Sequence, residues 1–316
     1  MKKSTKEKSK KPELLAPVGK PESLPIAIEC GADAVYCGGK SFGLRYNSKN
    51  FSLTELQEAV DYVHSYGRKL YLTVNALVHE LDIASLRSYF DAVKTTGIDA
   101  FIVSDLGAAA LAREVAPEVA IHVSTQASVA NSASARTWHE LGAKRIIAAR
   151  ELSLRELSEL RKNMPEDMEL EVFVHGAQCM AISGRCLISN YLADRDANKG
   201  HCAHSCRWSF ELVEQQRPDE RIPIIEEGGY TSIFSPYDMN MIEHLDELRE
   251  AGIDSFKIEG RTKGVNYVEV VTSAYRAVLD GADPANYVEA LKAQSPRPHG
   301  TGFYYGTPHQ NYRPYS

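Results

Sequence analysis

Four cysteines, Cys179, Cys186, Cys202 and Cys206, stand in one polar, glycine-containing stretch with the spacing C-x6-C-x15-C-x3-C. Four thiolates suit either tetrahedral zinc or an iron–sulfur cluster, the centres that soft sulfur donors select. Structural zinc sites favour two tight pairs, and only Cys202 and Cys206 form one. The wide spacing is easier to reconcile with a larger cluster met from separated turns, though spacing alone does not choose. Buried cysteines also serve as small apolar residues, but these neighbours are Gly, Arg, Asn and His rather than a core pattern. The apolar reading fits Cys30, which ends the apolar face of SLPIAIECG. Cys37 closes another apolar run and is a reserve ligand behind Cys206.

Eight short apolar runs frame the thiols: 13–18, 33–38, 69–74, 100–104, 120–125, 145–149, 170–175 and 254–260. Between them lie stretches of helical period such as 52–67 and 153–164, the latter with leucines at 154, 157 and 160. Ser52 with Glu55 and Ser153 with Glu156 match the capping-box pattern. Gly31, Gly67, Gly97, Gly142 and Gly252 stand where helices should stop. Eight strand–helix units predict an α/β, (β/α)8 TIM-barrel-like fold, with an open doubly wound sheet as the competing layout. Strand seven is followed by a cysteine-rich insertion, 176–239, and in such barrels the loops after the strands form the catalytic face. The segment 208–234 reads as short antiparallel strands, 240–252 as a helix and 263–281 as the closing helix. The domain reading is a disordered basic tail at 1–11, the barrel at 12–284, and a C-terminal extension at 285–316 that would begin a further small β domain.

At 316 residues, 43% hydrophobic and 25% charged, the chain can bury a sizeable core. No apolar run reaches bilayer length, and the basic start lacks the apolar segment of a secretory signal. The expected compartment is the cytoplasm, without membrane contact, where thiols stay reduced. Net charge is −6, yet the first 11 residues hold six lysines and one glutamate. Such a tail could touch RNA phosphates, although a solvated tail explains it as well.

Strand alternation selects the side chains that point into the barrel. It turns Lys257 and Glu259 inward, together with Glu171, Phe173 and His175, and with Tyr71, Thr73 and Asn75. Polar residues recur at strand ends, including Gln126 and Arg150, while Arg45 and Arg261 follow strands two and eight. His175, Lys257 and Glu259 are the candidate catalytic groups. His175 could move a proton near neutrality, or be a hydrogen-bonded wall residue. Arg45, Asn75, Gln126, Arg150 and Arg261 are the candidate substrate-binding groups, against the plainer reading of local salt bridges and hydrogen bonds.

The stretch EVFVHGAQCMAISGRCLIS (171–189) resembles the signature of the U32 family, long labelled collagenase-like peptidases. ELLAPVG, DAVYCGG, RDANKGHC, SCRW, SPYDMNMIEH, AGIDSFKIEGR and TGFYYG match it as well, so the resemblance runs from about Pro12 to Gly306. The branch it is most similar to forms 5-hydroxyuridine at the tRNA wobble position, with prephenate rather than molecular oxygen as the hydroxyl source. The resemblance therefore implies tRNA and prephenate as partners and a [4Fe–4S] cluster on Cys179, Cys186, Cys202 and Cys206. It would make the cationic candidates, Arg45, Arg150 and Arg261, binders of the donor's two carboxylates. His201 and His204 would tune the cluster from nearby. A second U32 protein or a second copy of the chain is a further candidate partner. Sister branches hydroxylate ribosomal RNA or a ubiquinone precursor, and a peptidase is the alternative of another class, although H-E-x-x-H is absent. Two positions depart from the pattern. Gln178 replaces an aliphatic residue before the first cysteine, and Asn240 stands where some relatives place a ligand cysteine.

Overall fold

The computed structural model describes residues 11–44, 49–178, 186, 188–207, 212–213, 221–222, 225–227, 230–232, 238–295 and 297–306. Its frame is a ring of parallel strands: β1 (Glu13–Pro17), β2 (Ala34–Gly38), β3 (Lys69–Val74), β4 (Ala100–Val103), β5 (Ala120–Val123), β6 (Arg145–Ile147), β7 (Glu169–Ala177) and β8 (Ser255–Ile258). Each pairs with the next, and β8 pairs with both β7 and β1. The ring is closed, which decides for the barrel over the open sheet. All eight apolar runs are strands.

The intervening helices form the outer layer: α1 (Ser23–Glu29), α2 (Leu53–Ser65), α3 (Ile83–Val93), α4 (Leu106–Val115), α5 (Ser132–Glu140) and α6 (Leu154–Asn163). Both expected capping boxes form. The Ser52 hydroxyl accepts the Glu55 N–H at 3.3 Å while the Glu55 carboxylate accepts the Ser52 N–H at 2.8 Å, and Ser153 with Glu156 repeats the pattern. Leu157 and Leu160 of α6 are buried, each worth about 1.5–3 kcal/mol relative to exposure. The five expected stop glycines all have positive φ, between 65° and 91°, which only glycine adopts at little cost.

In the insertion, α7 (Ile188–Ala193) packs against the short turn Ser205–Arg207, and two pairs of short antiparallel strands follow, Leu212–Val213 with Arg221–Ile222 and Ile225–Glu227 with Tyr230–Ser232. The helix expected over 240–252 is shorter. Asp238–Asn240 is instead a strand antiparallel to the end of β7, and the α-helix α8 covers only Leu245–Glu250. The cause is local pairing, because the Met241 N–H donates to the Val174 carbonyl at 3.0 Å and holds that chain extended against β7. His299–Gly300 adds parallel to the same strand, and the Tyr304 hydroxyl donates to the Phe173 carbonyl at 2.6 Å, so residues 297–306 lie back on the barrel. The helix α9 (Val265–Leu279) follows β8.

The lower half of the barrel interior is charged. Arg145 of β6 reaches Glu13 of β1 at 2.6 Å and both Glu169 (2.6 Å) and Glu171 (2.9 Å) of β7. Glu171, fully buried, also takes Lys257 of β8 at 2.9 Å, and Ser255 and Tyr71 donate to Glu13. Burial alone would raise the Glu13 pKa, but the adjacent Arg145 guanidinium wins and holds it below the ordinary carboxylate value. Removing one member leaves buried, uncompensated charge. Arg145→Met is expected to lower the unfolding free energy by about 3–5 kcal/mol, measured by urea denaturation; a loss under about 1 kcal/mol would show that this network carries little of the stability.

Candidate active site at the barrel mouth

Above the charged floor the strands open into a cavity of about 60 Å³ lined by Asn75, Gln126, Arg150, Lys257, Glu259 and Arg261 among others. Alternation delivers Lys257 and Glu259 from β8, with Tyr36 and Phe173 supplying aromatic wall. The Lys257 ammonium sits 4.1 Å from the Tyr36 ring centroid, and the Arg150 guanidinium 4.0 Å from that of Phe173. Arg150 also donates to the Ala177 carbonyl at 3.1 Å. Arg261 is buried, donating to the Thr73 hydroxyl at 2.8 Å and to the Leu44 carbonyl. Burial pushes the Lys257 pKa down, while its pairing with Glu171 opposes the shift. Arg150, Arg261 and the Glu171-paired Lys257 thus share one cavity with Glu259, a wall rich in hydrogen-bond donors for an anion.

The candidate residues fare unequally. Asn75 points inward but is engaged, its side-chain carbonyl accepting the Leu44 N–H at 3.2 Å and its amide donating to the Ser124 hydroxyl at 3.3 Å. Gln126 sits on a short turn, Thr125–Ala127, directly after β5. His175 does not face the cavity, contrary to the alternation argument. The register between β7 and β8 jumps, with Lys257 opposite Phe173 and Ile258 opposite His175, so Val174 is an extra residue and parity inverts beyond it. His175 therefore packs behind the wall, its Nδ1 3.2 Å from the Tyr275 hydroxyl of α9 and its ring 5.5 Å from that of His299. Burial, helped by His299, pulls its pKa down to about 3. Arg45 and Cys179 lie outside the described residues.

The thiol loop stands beside this mouth. Asn198 clamps Cys186, donating to its carbonyl at 2.8 Å and accepting its N–H at 3.2 Å. Arg195 donates to the carbonyls of His201 and Cys202. The His204 N–H donates to the Cys202 sulfur at 3.4 Å. Cys186, Cys202 and Cys206 are all partly exposed. Among the described residues no three His, Cys, Asp or Glu side chains converge on a single-ion site, an arrangement a cluster does not need, since each of its irons takes one thiolate. Cys186 and Cys202 stand on one hydrogen-bonded unit, a loop that suits such a group. Cys37 does not fit as reserve ligand. Tyr36 takes the inward position on β2, so Cys37 is turned the other way, fully buried, and burial pushes its thiol up to about 12. Asn240 is held between the Tyr275 hydroxyl and His299.

Strand-end reading missed Tyr36, Ser124 and Thr125, which also line the cavity. The signal for Ser124 and Thr125 was available, because both fall at the end of run five, whereas Tyr36 lies mid-strand. It also missed a second, larger cleft of about 430 Å³, where Cys202 of the thiol loop faces Lys20, Lys49, Lys263 and the outer side of Arg261. These lysines lie in loops, where no periodicity marks them.

Residues 19–314 match the model of peptidase family U32. The chain belongs to that family. It is 41% identical over 308 residues to tRNA hydroxylation protein P1 of Bacillus subtilis, covering 95% of this chain and 72% of the relative. It is 35% identical to tRNA hydroxylation protein P of Escherichia coli, covering 96% of this chain and 77% of the relative. Among solved structures, a U32 peptidase superposes with a TM-score of 0.52 at 15% identity, over 82% of this chain and 97% of the other, and shares the fold. Among the described residues of this U32 chain, no helix is long and apolar enough to cross a membrane.

Two predictions follow from burial. His175 and His122 are both buried with lowered pKa values, His122 through burial and then the neighbouring Arg145. Their unfolded forms bind protons below about pH 6.5 and their folded forms do not, so stability is lost as pH falls through that value. Between pH 6.5 and 5 the unfolding free energy is expected to fall by up to about 1.4 kcal/mol per pH unit for each histidine, and His122→Phe should remove about half of the slope. An unchanged slope in that variant would contradict the assignment. For the thiols, timed alkylation of the metal-free native chain read by mass spectrometry should label Cys186, Cys202 and Cys206 well before Cys37; early labelling of Cys37 would place it at the surface.

Proposed function

We propose that this U32 chain is an RNA-modifying hydroxylase that converts the wobble uridine of tRNA to 5-hydroxyuridine, with prephenate as hydroxyl donor and without molecular oxygen. The names of its relatives, which match over nearly the whole chain, support RNA hydroxylation as the reaction class. The observation that carries the finer reading is the cavity wall, where Arg150, Lys257 and Arg261 face Glu259 at the mouth of a closed barrel, next to the thiol loop. A carboxylate-bearing donor would find two guanidinium groups there, and water-shielded cations hold carboxylates more strongly than exposed ones.

Each group then has a task. Arg261 is braced by Thr73 and Leu44 and would hold one carboxylate without reorganising. Arg150 would hold the other, its plane backed by Phe173. Lys257, kept in place by Glu171, would donate a hydrogen bond to the bound ligand, and Glu259 would orient it by accepting one. The uridine must leave its loop to enter such a pocket, as base-modifying chemistry on folded nucleic acid requires. Cys179, Cys186, Cys202 and Cys206 would hold a [4Fe–4S] cluster, which when bound supplies iron for electron transfer or for polarising an oxygen atom. His175 has no task in the cavity, since it lies behind the wall.

Nucleoside mass spectrometry of tRNA tests the reading. Cells lacking the gene should lose 5-hydroxyuridine derivatives, this chain should restore them, and Cys186→Ala should not. Chain purified without air should carry about four irons, and Cys202→Ala should lose them. An unchanged tRNA profile in the deletion strain would refute the tRNA assignment and turn attention to ribosomal RNA and quinone precursors.

A further inference from the structure

We infer that the larger cleft beside the thiol loop is a phosphodiester subsite, holding the RNA backbone next to the nucleotide that enters the inner cavity. The inference rests on the proposed RNA reading and adds a binding surface to it. Lys20, Lys49 and Lys263 line the cleft together with Arg261, and among the described residues no carboxylate lines it. Glu22, outside the lining, stands 3.8 Å from Lys49 and is largely exposed with it, an arrangement that screens little. The cations come from loops after three different strands, β1, β2 and β8, so only closure of the barrel brings them together.

Much of the remaining wall is bare backbone. At Gly19 a Cβ would lie 1.6 Å from the Arg261 carbonyl, so the loops after β1 and β8 touch main chain to main chain, as only glycine allows. Gly264 opens the cleft further, having nothing within 4 Å of a would-be Cβ, and it begins α9 without any side-chain cap. The first N–H groups of α9 are thereby left to solvent or to a ligand. Close approach of backbone and cations to one groove is what a phosphate chain requires.

Charge and connection favour a polymer over the small donor. In the inner cavity Glu259 stands with Arg150 and Arg261, and Lys257 is paired with Glu171. The outer cleft offers three lysines, and among the described residues no carboxylate lines it. The protein as a whole carries −6, so an RNA polyanion is repelled by most of its surface and needs a concentrated basic site to dock. Arg261 lines both chambers. A nucleotide with its base inside and its phosphate outside would therefore pass along Arg261.

The test is fluorescence-anisotropy titration of the full chain with a labelled RNA stem-loop bearing uridine in its loop, at several salt concentrations. Lys20 and Lys263 are partly exposed, so Lys20→Ala/Lys263→Ala should fold normally, checked by thermal melting. The double variant is expected to bind about tenfold more weakly, equally for different loop sequences, with a salt slope shallower by about 1 to 1.5. Its affinity for prephenate should stay within about twofold. Unchanged RNA affinity and slope would overturn the subsite, and so would lost prephenate binding with RNA binding intact. If 5-hydroxyuridine still depends on the gene in that event, the subsite alone is wrong. If deleting the gene leaves the nucleosides unchanged, the hydroxylase reading fails whatever the RNA titration gives.

Discussion

The buried charge network at the barrel floor is the constraint on which the rest depends. Arg145, Glu13, Glu171 and Lys257 come from β6, β1, β7 and β8, so their mutual pairing spans the seam where the ring closes. Burying any one of them alone would cost several kcal/mol. Together they are satisfied, and the arrangement is possible only in a closed barrel. The network also sets the site above it. Glu171 holds the Lys257 ammonium under the cavity, against the Tyr36 ring, so a stability device and a positioning device are the same atoms.

Two chambers stand above this floor, and Arg261 joins them. Its guanidinium is fixed by Thr73 and Leu44, from the β3 strand and the loop after β2. Inward, the wall is aromatic and cationic with one carboxylate. Outward, it is lysine-lined and edged by Cys202. Close packing of the β1 and β8 loops at Gly19 keeps the partition rigid. Preorganised charge of this kind binds anions without the reorganisation that water or flexible side chains would demand.

Strand parity was legible as far as the strands are regular. It turned Lys257 and Glu259 into the cavity and Tyr71 and Thr73 toward the axis, because side chains on a strand alternate with period two. It failed at His175, where one extra residue at Val174 inverts the count. Gly176, at φ 101° inside the same strand, is the local mark of that irregularity. The bulge accompanies the strand Asp238–Asn240, which pairs with the end of β7 from more than sixty residues away. Cys37 shows the same logic from the other side, for the inward position on β2 belongs to Tyr36, and the thiol is left in the apolar layer.

By itself the sequence determined the elements and the chemistry available: eight strands, the capping boxes of α2 and α6, the stop glycines, and a thiol-rich insertion after β7. These follow from local preferences, which act over a few residues and leave periodic marks. Only the tertiary structure decided which groups meet. Closure joined Glu13 of β1 to Arg145 of β6, a bulge removed His175 from the cavity, and loops after β1, β2 and β8 converged into a lysine-lined cleft. Such outcomes depend on register and ring closure between distant segments, and pairing across that distance leaves no period in the chain.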